Sequence, residues 1–235
     1  MAKSPAPYNI HDYDVPLTTV DSVLFTVHDE KLKVLLVQRG NVPFAGKWGL
    51  PGGFIEQGAD ADLEMCAIRK LKEKTGIAPP YIEQLLSQGG ANRDPRGWSV
   101  TIVFYALVAH VNCEPHIDSV TDVQWREVSS LSAKELAFDH GQIIQLAHER
   151  LQQKALYSIV PAYALPNEFT FTELQALHEV IIGTTLEKKS FRRRIEKAKL
   201  LIDTGKSTVA RGRPAKLYKV KPEGRAYRFV RNLES

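Results

Sequence analysis

One stretch of the chain combines a glycine turn with charged residues at helical spacing, and it offers the clearest chemistry in the sequence. Residues 50–77 begin with the turn Pro51-Gly52-Gly53 and continue into a segment that predicts a helix. Within that helix Lys70, Glu73 and Lys74 are three and four residues apart, so they share one face. That face presents two ammonium groups and one carboxylate, which suits an anion such as a diphosphate better than Mg²⁺, an ion that prefers several hard oxygen ligands.

This stretch resembles the Nudix box, the signature of enzymes that hydrolyse nucleoside diphosphates linked to another group. The family pattern is G-x5-E-x7-R-E-U-x-E-E-x-G-U, in which U is a bulky apolar residue. Several residues near its end fit the pattern in register: Arg69, Leu71, Glu73, Gly76 and Ile77. The resemblance implies an α+β fold, namely the α/β/α sandwich with a mixed sheet that Nudix domains share.

The chain departs from the Nudix pattern at positions that hold the metal in active enzymes of the family. Lys70 and Lys74 occupy positions where the pattern has glutamates. Glu73 is therefore the one carboxylate on this helix face. We therefore expect no catalytic residues and no bound metal. The pocket beside this helix should still bind a diphosphate, because lysine in place of glutamate makes its charge more positive.

The segment between Gly53 and Arg69 is longer than the Nudix pattern allows, and this leaves room for an alternative to a pocket without catalytic residues. Because two more residues separate them than the pattern allows, the first glutamate position falls on Ala59 or Ala61. The alternative is an active hydrolase of ADP-ribose with an accessory nucleic-acid-binding domain. Its metal site would have moved to other carboxylates: Glu56, Asp60 and Glu73.

A second stretch, residues 92–98 with the sequence NRDPRGW, is similar to a loop of Nudix proteins that act on ADP-ribose. Arg93 and Arg96 offer guanidinium groups that suit bidentate phosphate recognition, and Asp94 can accept hydrogen bonds from ribose hydroxyls. The alternative is an exposed turn held by an ion pair among these residues. Phe54 and Trp98 are candidates to stack on adenine. The predicted ligand site comprises Arg39, Gly53, Phe54, Lys70, Glu73, Arg93, Asp94 and Arg96.

Apolar and amphipathic segments predict the elements that position these residues. β-Branched and apolar runs predict strands over residues 20–27, 33–39, 81–88, 99–109 and 122–128, the first two forming a hairpin. Asp60 or Asp62 is suited to cap a helix that runs to Thr75, and Gly76 suits the residue that ends it. A further helix is expected over residues 141–155 after Asp139.

Composition indicates the cell compartment. Among 235 residues Cys66 and Cys113 are the only cysteines, and neither lies in a metal-binding motif, which is typical of a reducing environment. No apolar stretch approaches the ~20 residues of a membrane helix, and residues 1–16 lack the apolar segment of a signal peptide. We therefore expect a cytoplasmic protein that does not enter membranes.

Charge is distributed unevenly along the chain. Residues 155–235 carry 16 Lys and Arg against 8 Asp and Glu, a net +8, whereas the rest of the chain carries −4. A basic segment attached to a mildly acidic one predicts a separate module that binds nucleic acid. The predicted parts are a tail, an effector-binding domain, a linker and a DNA-binding domain: residues 1–16, 17–156, 157–167 and 168–235.

The basic segment has the element order of a winged helix-turn-helix domain. A capping-box spacing predicts a helix that starts after Thr170 and ends at Gly183. A short helix is expected near Leu186, and a third from Ser190 through Ile202, whose apolar residues form one stripe. A basic hairpin follows and would form the wing.

Cationic residues at the beginning of the third predicted helix and in the hairpin predict contacts with DNA, because a recognition helix contacts bases and phosphates there. The hairpin pairs residues 206–209 with 216–220, and its tip, ARGRPA, is slim enough for a minor groove. Binding to RNA or to protein is an alternative, although few aromatic residues are available to stack on single strands. The predicted DNA-binding set comprises Lys188, Lys189, Ser190, Arg192, Arg193, Lys197, Arg211, Arg213 and Lys216.

The altered Nudix box followed by a winged helix resembles the NrtR family, the Nudix-related transcriptional regulators of NAD metabolism. The resemblance implies a homodimeric repressor that binds a palindromic operator in double-stranded DNA, near genes of NAD synthesis and salvage. It also implies that ADP-ribose or a related dinucleotide binds the Nudix domain and releases the DNA. That nucleotide would be an effector, and no cofactor is expected.

Overall fold

The computed structural model describes residue 9, residues 12–208 and residues 214–225. The strands are β1 (Leu17–His28), β2 (Lys31–Arg39), β3 (Trp48–Gly49), β4 (Gly52–Phe54), β5 (Glu83–Gly90), β6 (Ser99–Leu107), β7 (Val120–Glu127), β8 (Leu201–Ser207) and β9 (Lys216–Val220). The α-helices are α1 (Leu63–Thr75), α2 (His140–Tyr157), α3 (Phe171–Ile182) and α4 (Lys188–Ala198). In the described chain no helix has the length and apolar character needed to cross a membrane.

Seven strands of the described chain form one mixed sheet. Its order is β3-β2-β1-β6-β5, with β4 pairing with β1 and β7 with β2. Strands β1 and β6 run parallel, and the other pairs are antiparallel. The predicted hairpin of the first two strands is confirmed by the pairing of His28 with Lys31.

Helices cover both faces of this sheet, which confirms the α/β/α sandwich. Successive residues of a strand point to opposite faces. On one face Val20 and Leu24 of β1 pack with Ala67 and Leu71 of α1. On the other face Phe25 packs in the core that holds α2 and α3, whose buried members include Ile143, Leu151, Leu177 and Ile181.

The ends of α1 are set by two residues that the sequence singled out. Asp62 is the N-cap and accepts a hydrogen bond from the backbone nitrogen of Met65 at 2.8 Å. Gly76 ends the helix with φ 73°, a left-handed conformation that suits glycine. Asp60, the other capping candidate, instead forms an ion pair with Arg69.

The segment that joins the sandwich to the C-terminal part, which the sequence predicted as a linker, packs into the core. Residues 160–164 form a short 3₁₀ helix, and Val160 and Pro161 within it are buried. Ile159 and Ala162 join a C-terminal core with Phe169 and Leu174. The α3 helix contributes to this core and also to the core shared with α2, so the C-terminal part packs directly on the sandwich.

Two predictions about the C-terminal part were wrong. One helix, α4, replaces the two that were expected after Gly183, and Lys199 ends it in a left-handed conformation with φ 53°. Ile202, expected on the inner face of that helix, lies in β8 and is 45% exposed. Strand β8 begins earlier than predicted because residues 201–203 pair with β9, and Gly205, at φ 73°, lies where the register of that pairing shifts.

Candidate functional site

A cavity of about 320 Å³ opens beside the glycine turn, with walls from β1, β2, β4, α1 and the loop of residues 92–98. Lys70 and Glu73 do not line it, although the side chain of Lys70 lies directly behind Gly53. The structure brings the other predicted ligand residues together in its wall: Arg39, Gly53, Phe54, Arg93, Asp94 and Arg96.

Two arginines of this cavity are held by carboxylates. Arg93 donates two hydrogen bonds to Asp139, each 3.0 Å long. Arg96 binds Asp94 in the same manner, with its Nη2 atom 2.7 Å from Oδ2, and this guanidinium lowers the pKa of the Asp94 carboxyl. The ion pair considered as an alternative for the loop therefore exists, but Asp94 is 3% exposed and the pair forms part of the cavity wall.

Aromatic rings alternate with guanidinium groups along the same wall. The Arg96 guanidinium lies 5.0 Å from the ring centre of Phe54, and the Arg39 guanidinium lies 4.8 Å from that of Phe138. Such flat faces can stack on a nucleobase. Phe54 is 42% exposed and thus accessible, whereas Trp98, the other stacking candidate, does not line the cavity.

Two further cations of the cavity lack carboxylate partners in the part of the chain that the structure describes. Arg39 donates one hydrogen bond to the carbonyl of Pro43 at 2.9 Å. Among the described residues neither Arg39 nor Lys74 forms an ion pair. Burial lowers the pKa of Lys74 to about 8, against the opposing influence of Asp21. Since an unpaired charge is costly to bury, these two cations mark the place where an anionic ligand gains most.

The carboxylates proposed for a relocated metal site contact cations instead. Arg69 donates hydrogen bonds to Asp60 at 2.7 Å, to Glu73 at 2.8 Å and to Glu56 at 3.1 Å. Lys70 also pairs with Glu56 and lies 3.7 Å from Glu73. Within the described chain no three His, Cys, Asp or Glu side chains are arranged to hold a metal ion. In the described chain these three carboxylates are therefore paired with Arg69 and Lys70.

Buried polar residues that the sequence analysis did not assign to the site form one side of the cavity. His140 accepts a hydrogen bond from the backbone nitrogen of Leu50 at 2.9 Å, and its Nε2 atom lies 3.9 Å from Asp21. Burial lowers the pKa of His140. Asp21 also accepts a hydrogen bond from Thr101 at 2.7 Å. The signal for Asp21 was its position as a charged residue inside an apolar strand.

A second group of predicted residues surrounds a groove of about 500 Å³ between α3, α4 and β9. Lys188, Arg192 and Lys216 line this groove. Lys189, Arg193 and Lys197 are exposed on other faces of α4. The structure thus places these cations on α4 and β9, and their role in contacting a phosphate backbone stays a prediction.

Some members of the predicted DNA-binding set are paired with carboxylates or lie away from this groove. Arg192 pairs with Glu196 at 2.8 Å, and Lys216 pairs with Asp203 at 2.7 Å. Ser190 is half-buried and lines a separate cavity on the other side of α4. Arg194, which the prediction omitted, is exposed beside it. The wing-tip predictions, Arg211 and Arg213, lie outside the described residues.

The fold and the two sites define a class of protein, in which a Nudix domain is joined to a winged helix. Comparison with family models agrees with this class. Residues 18–147 match the NUDIX domain, and residues 161–220 match the NrtR DNA-binding winged helix domain.

Known proteins with both parts are similar over nearly the whole chain. An "ADPR responsive transcriptional repressor NtrR" of Acinetobacter baylyi is 43% identical over 97% of this chain and 92% of its own length. The crystal structure of Shewanella oneidensis NrtR complexed with a 27mer DNA is 57% identical, with a TM-score of 0.85 over 92% of this chain and 99% of that one. The chain belongs to the NrtR family of transcriptional repressors.

Two further similarities concern the Nudix domain. The NUDIX domain of Shewanella oneidensis NrtR complexed with ADP ribose is 52% identical over 62% of this chain and 95% of that one, with a TM-score of 0.59. An ADP-ribose pyrophosphatase of Methanocaldococcus jannaschii is 34% identical over 55% of this chain and 72% of its own length. Relatives of this domain thus include both repressors and an enzyme.

Proposed function

We propose that this chain represses transcription by binding operator DNA through its winged helix, and that ADP-ribose bound in the Nudix cavity releases the DNA. It would act as a homodimer on a palindromic operator near genes of NAD synthesis and salvage. One observation carries the proposal. The cavity holds two cations, Arg39 and Lys74, that form no ion pair within the described chain and lie beside aromatic faces, and the chain belongs to the NrtR repressor family.

The parts of ADP-ribose match groups around the cavity. Its diphosphate would lie against Arg39 and Lys74, because these charges lack carboxylate partners in the described chain. Its adenine would stack near Phe54, whose ring is accessible. Asp94 and Arg96 offer an acceptor and a donor to the ribose hydroxyls. The complex of the Shewanella domain with ADP ribose supports this choice of ligand.

Binding without cleavage follows from the same charges. Lys70 pairs with Glu56 and Glu73, and Lys74 faces the cavity as a cation. A Mg²⁺ ion between these groups would be repelled by both ammonium groups and would have to displace Arg69 from its carboxylates. We therefore propose that the domain senses the nucleotide and is not an enzyme.

An ADP-ribose hydrolase is the second candidate, since the similar protein of Methanocaldococcus jannaschii is a pyrophosphatase. The presence of Glu56 and Glu73 near the glycine turn also favours it. ADP-ribose should be incubated with the purified chain and Mg²⁺ or Mn²⁺, and release of AMP should be followed. Turnover at rates ordinary for enzymes would favour the hydrolase over the sensor.

The repressor is tested by a mobility-shift assay on DNA upstream of NAD-synthesis genes, titrated with ADP-ribose in the absence of divalent metal. We expect a specific shift that ADP-ribose reverses. The Lys74→Met variant should keep the shift and require more ADP-ribose to reverse it, and Lys72→Ala, on an exposed face of α1, serves as the matched control. A shift that ADP-ribose leaves unchanged would refute the effector, and no specific shift would refute the repressor.

A further inference from the structure

Helix α4 carries one carboxylate among many cations. Its sequence, KKSFRRRIEKA, contains six lysine and arginine residues and a single acidic residue, Glu196. The Glu196 side chain is exposed, as the cations are, so it lies on the surface that would meet DNA. Because phosphates repel a carboxylate, an acid on this surface weakens the attraction to a DNA backbone. Its presence on α4 therefore needs a reason other than general affinity for DNA.

Glu196 holds one of those cations, Arg192, which lies one helical turn earlier. The Nε atom of Arg192 donates a hydrogen bond of 2.8 Å to the Oε1 atom of Glu196, and the two side chains are each 53% exposed. Pairs this exposed add little to the stability of a helix. Helix stability is therefore a weak reason for keeping an acid at this position.

An aromatic ring also contacts the Arg192 guanidinium. The Cζ atom of Arg192 lies 5.0 Å from the ring centre of Phe171, at the beginning of α3. The ring of Phe171 in turn stands edge-on to that of Tyr218 in β9, with their centres 4.8 Å apart. Side chains of α3, α4 and β9 thus fix the orientation of this one guanidinium, which lines the groove between these three elements.

Fixed and free cations suit different parts of DNA. A phosphate contact needs charge and little orientation. Lys189, Arg193 and Lys197, which are exposed and form no ion pair in the described chain, suit such contacts. A base edge in the major groove needs the planar guanidinium in one orientation, because it is read by two parallel hydrogen bonds. Among the described residues of α4, Arg192 is the cation held in this way.

Arg192 and Glu196 together offer the donors and the acceptor that match one G·C base pair. In the major groove guanine presents its O6 and N7 atoms as acceptors, and cytosine presents its N4 amino group as a donor. Within the described chain Arg192 uses its Nε atom on Glu196, which leaves the Nη1 and Nη2 atoms for guanine and the Oε2 atom of Glu196 for cytosine. An adenine would place its N6 donor against the guanidinium, so this pair of side chains disfavours A·T.

We propose that Arg192 and Glu196 together read one G·C base pair of the operator, and that Phe171 is a positioning residue that orients the Arg192 guanidinium. The inference rests on the proposed binding of DNA by the winged helix, and it adds the base pair that α4 recognises. The pair of side chains gives specificity, and the unpaired cations of α4 give affinity that does not depend on sequence.

Selection of binding sites from a random pool of DNA duplexes by the full-length chain, followed by fluorescence anisotropy on the selected site, tests this role. We expect the wild-type chain to prefer G·C at one position and to bind roughly tenfold more weakly when that pair becomes A·T. The double variant Arg192→Met with Glu196→Met removes one charge of each sign. It should therefore lose that preference and keep its affinity for unrelated DNA and the salt slope of that affinity.

An equivalent pair elsewhere provides the matched control. Arg126 also pairs with a carboxylate, Glu135, at 3.0 Å and lies over an aromatic ring, that of Trp48, at 5.5 Å. Arg126→Met with Glu135→Met should leave the preference for every base pair unchanged, because this pair lies on the Nudix sheet. Phe171→Leu should reduce the preference for G·C, and Phe171→Tyr, which keeps a ring, should preserve it.

Modified DNA gives a readout on the wild-type chain that depends on no variant. We expect 7-deazaguanine, which lacks the N7 acceptor, to weaken binding roughly tenfold at the position that the double variant no longer distinguishes. No specific binding by the wild-type chain would refute the proposed function together with this inference. Specific binding that the double variant retains at every position, or that 7-deazaguanine leaves unchanged, would overturn the role of Arg192 and Glu196 alone.

Discussion

Replacing Lys74 by methionine separates the stability of the protein from its affinity for the effector. Burial lowers the pKa of this lysine from 10.5 to about 8, so the folded state disfavours its charged form. The cost of that charge is fully present below pH 8 and is relieved as the pH rises towards 10.5. That difference corresponds to about 3 kcal/mol, which partial exposure to solvent reduces. Methionine has a similar length and no charge, so we expect Lys74→Met to stabilise the free protein by about 1–2 kcal/mol at pH 7.

The same change should weaken the binding of ADP-ribose. A hydrogen bond to a charged group contributes about 1.5–3 kcal/mol, which corresponds to a loss of roughly 10- to 150-fold in affinity. A gain in stability together with a loss in affinity is the signature of a charge that is kept for its ligand. Isothermal calorimetry and thermal unfolding of the same preparations measure both quantities.

The pH dependence gives an independent check on Lys74. Under the proposed function the ammonium form of Lys74 binds the diphosphate, so affinity should fall as the pH rises through about 8. Between pH 7 and pH 9 the protonated fraction, and with it the affinity, should fall by roughly tenfold. Lys74→Arg should bind at both pH values because guanidinium stays charged, and Lys74→Met should bind weakly at both. A wild-type affinity that does not change between pH 7 and pH 9, or a methionine variant that binds as tightly as wild type, would refute this role of Lys74.

The remaining predictions concern DNA and metal. Arg193→Ala should weaken operator binding by at least roughly tenfold and leave ADP-ribose affinity unchanged in calorimetry, since Arg193 is exposed on α4 and far in sequence from the Nudix cavity. Retained operator affinity would show that α4 is not the recognition helix. Lys70→Glu combined with Lys74→Glu should create a site for Mn²⁺, measurable by calorimetry, because new carboxylates join Glu73 on one helix face; unchanged Mn²⁺ affinity would contradict that arrangement. Arg211→Ala should weaken binding to all sequences alike and reduce the salt slope by about one, whereas loss at a single base pair would contradict a phosphate or groove role.

The Nudix half was predictable because its signals are local. Residues a few positions apart limited the N-cap of α1 to Asp60 or Asp62 and marked Gly76 as its C-terminal end, and the structure has Asp62 as the cap. The cavity wall was predictable only through the family resemblance, which joined Arg39 to the loop of residues 92–98. The spacing of Lys70 and Lys74 shows that they share a face, but not that only Lys74 reaches the cavity, since depth depends on where the helix packs on the sheet.

Long-range pairing explains what the sequence did not reveal. The partner of Arg93 is Asp139, which was expected to cap α2 with its side chain but makes no such hydrogen bond. No local pattern joins two residues so far apart. The sequence analysis assigned the beginning of β8 to the end of a helix. Residues near Ile202 continue an apolar stripe at helical spacing, and the strand that pairs with them, β9, lies on the other side of the wing.

Helix α2 extends from the Nudix cavity to the junction with the winged helix, so it would connect the two sites in the proposed release of DNA. Asp139 at its beginning holds Arg93 of the Nudix cavity, and Leu156 at its end lines the junction with the winged helix. Thermodynamic linkage makes this effect reciprocal. If bound ADP-ribose lowers the affinity for DNA by some factor, bound DNA lowers the affinity for ADP-ribose by the same factor. A change that acts on ligand contact alone, such as Lys74→Met, lowers the affinity for ADP-ribose equally with and without DNA and leaves that factor intact. If α2 transmits the binding of ADP-ribose, we expect Asp139→Asn to alter the factor itself, because it removes the charge that holds Arg93 of the cavity to the start of the helix. Measuring ADP-ribose affinity with and without operator therefore distinguishes residues that bind the effector from residues that transmit its binding.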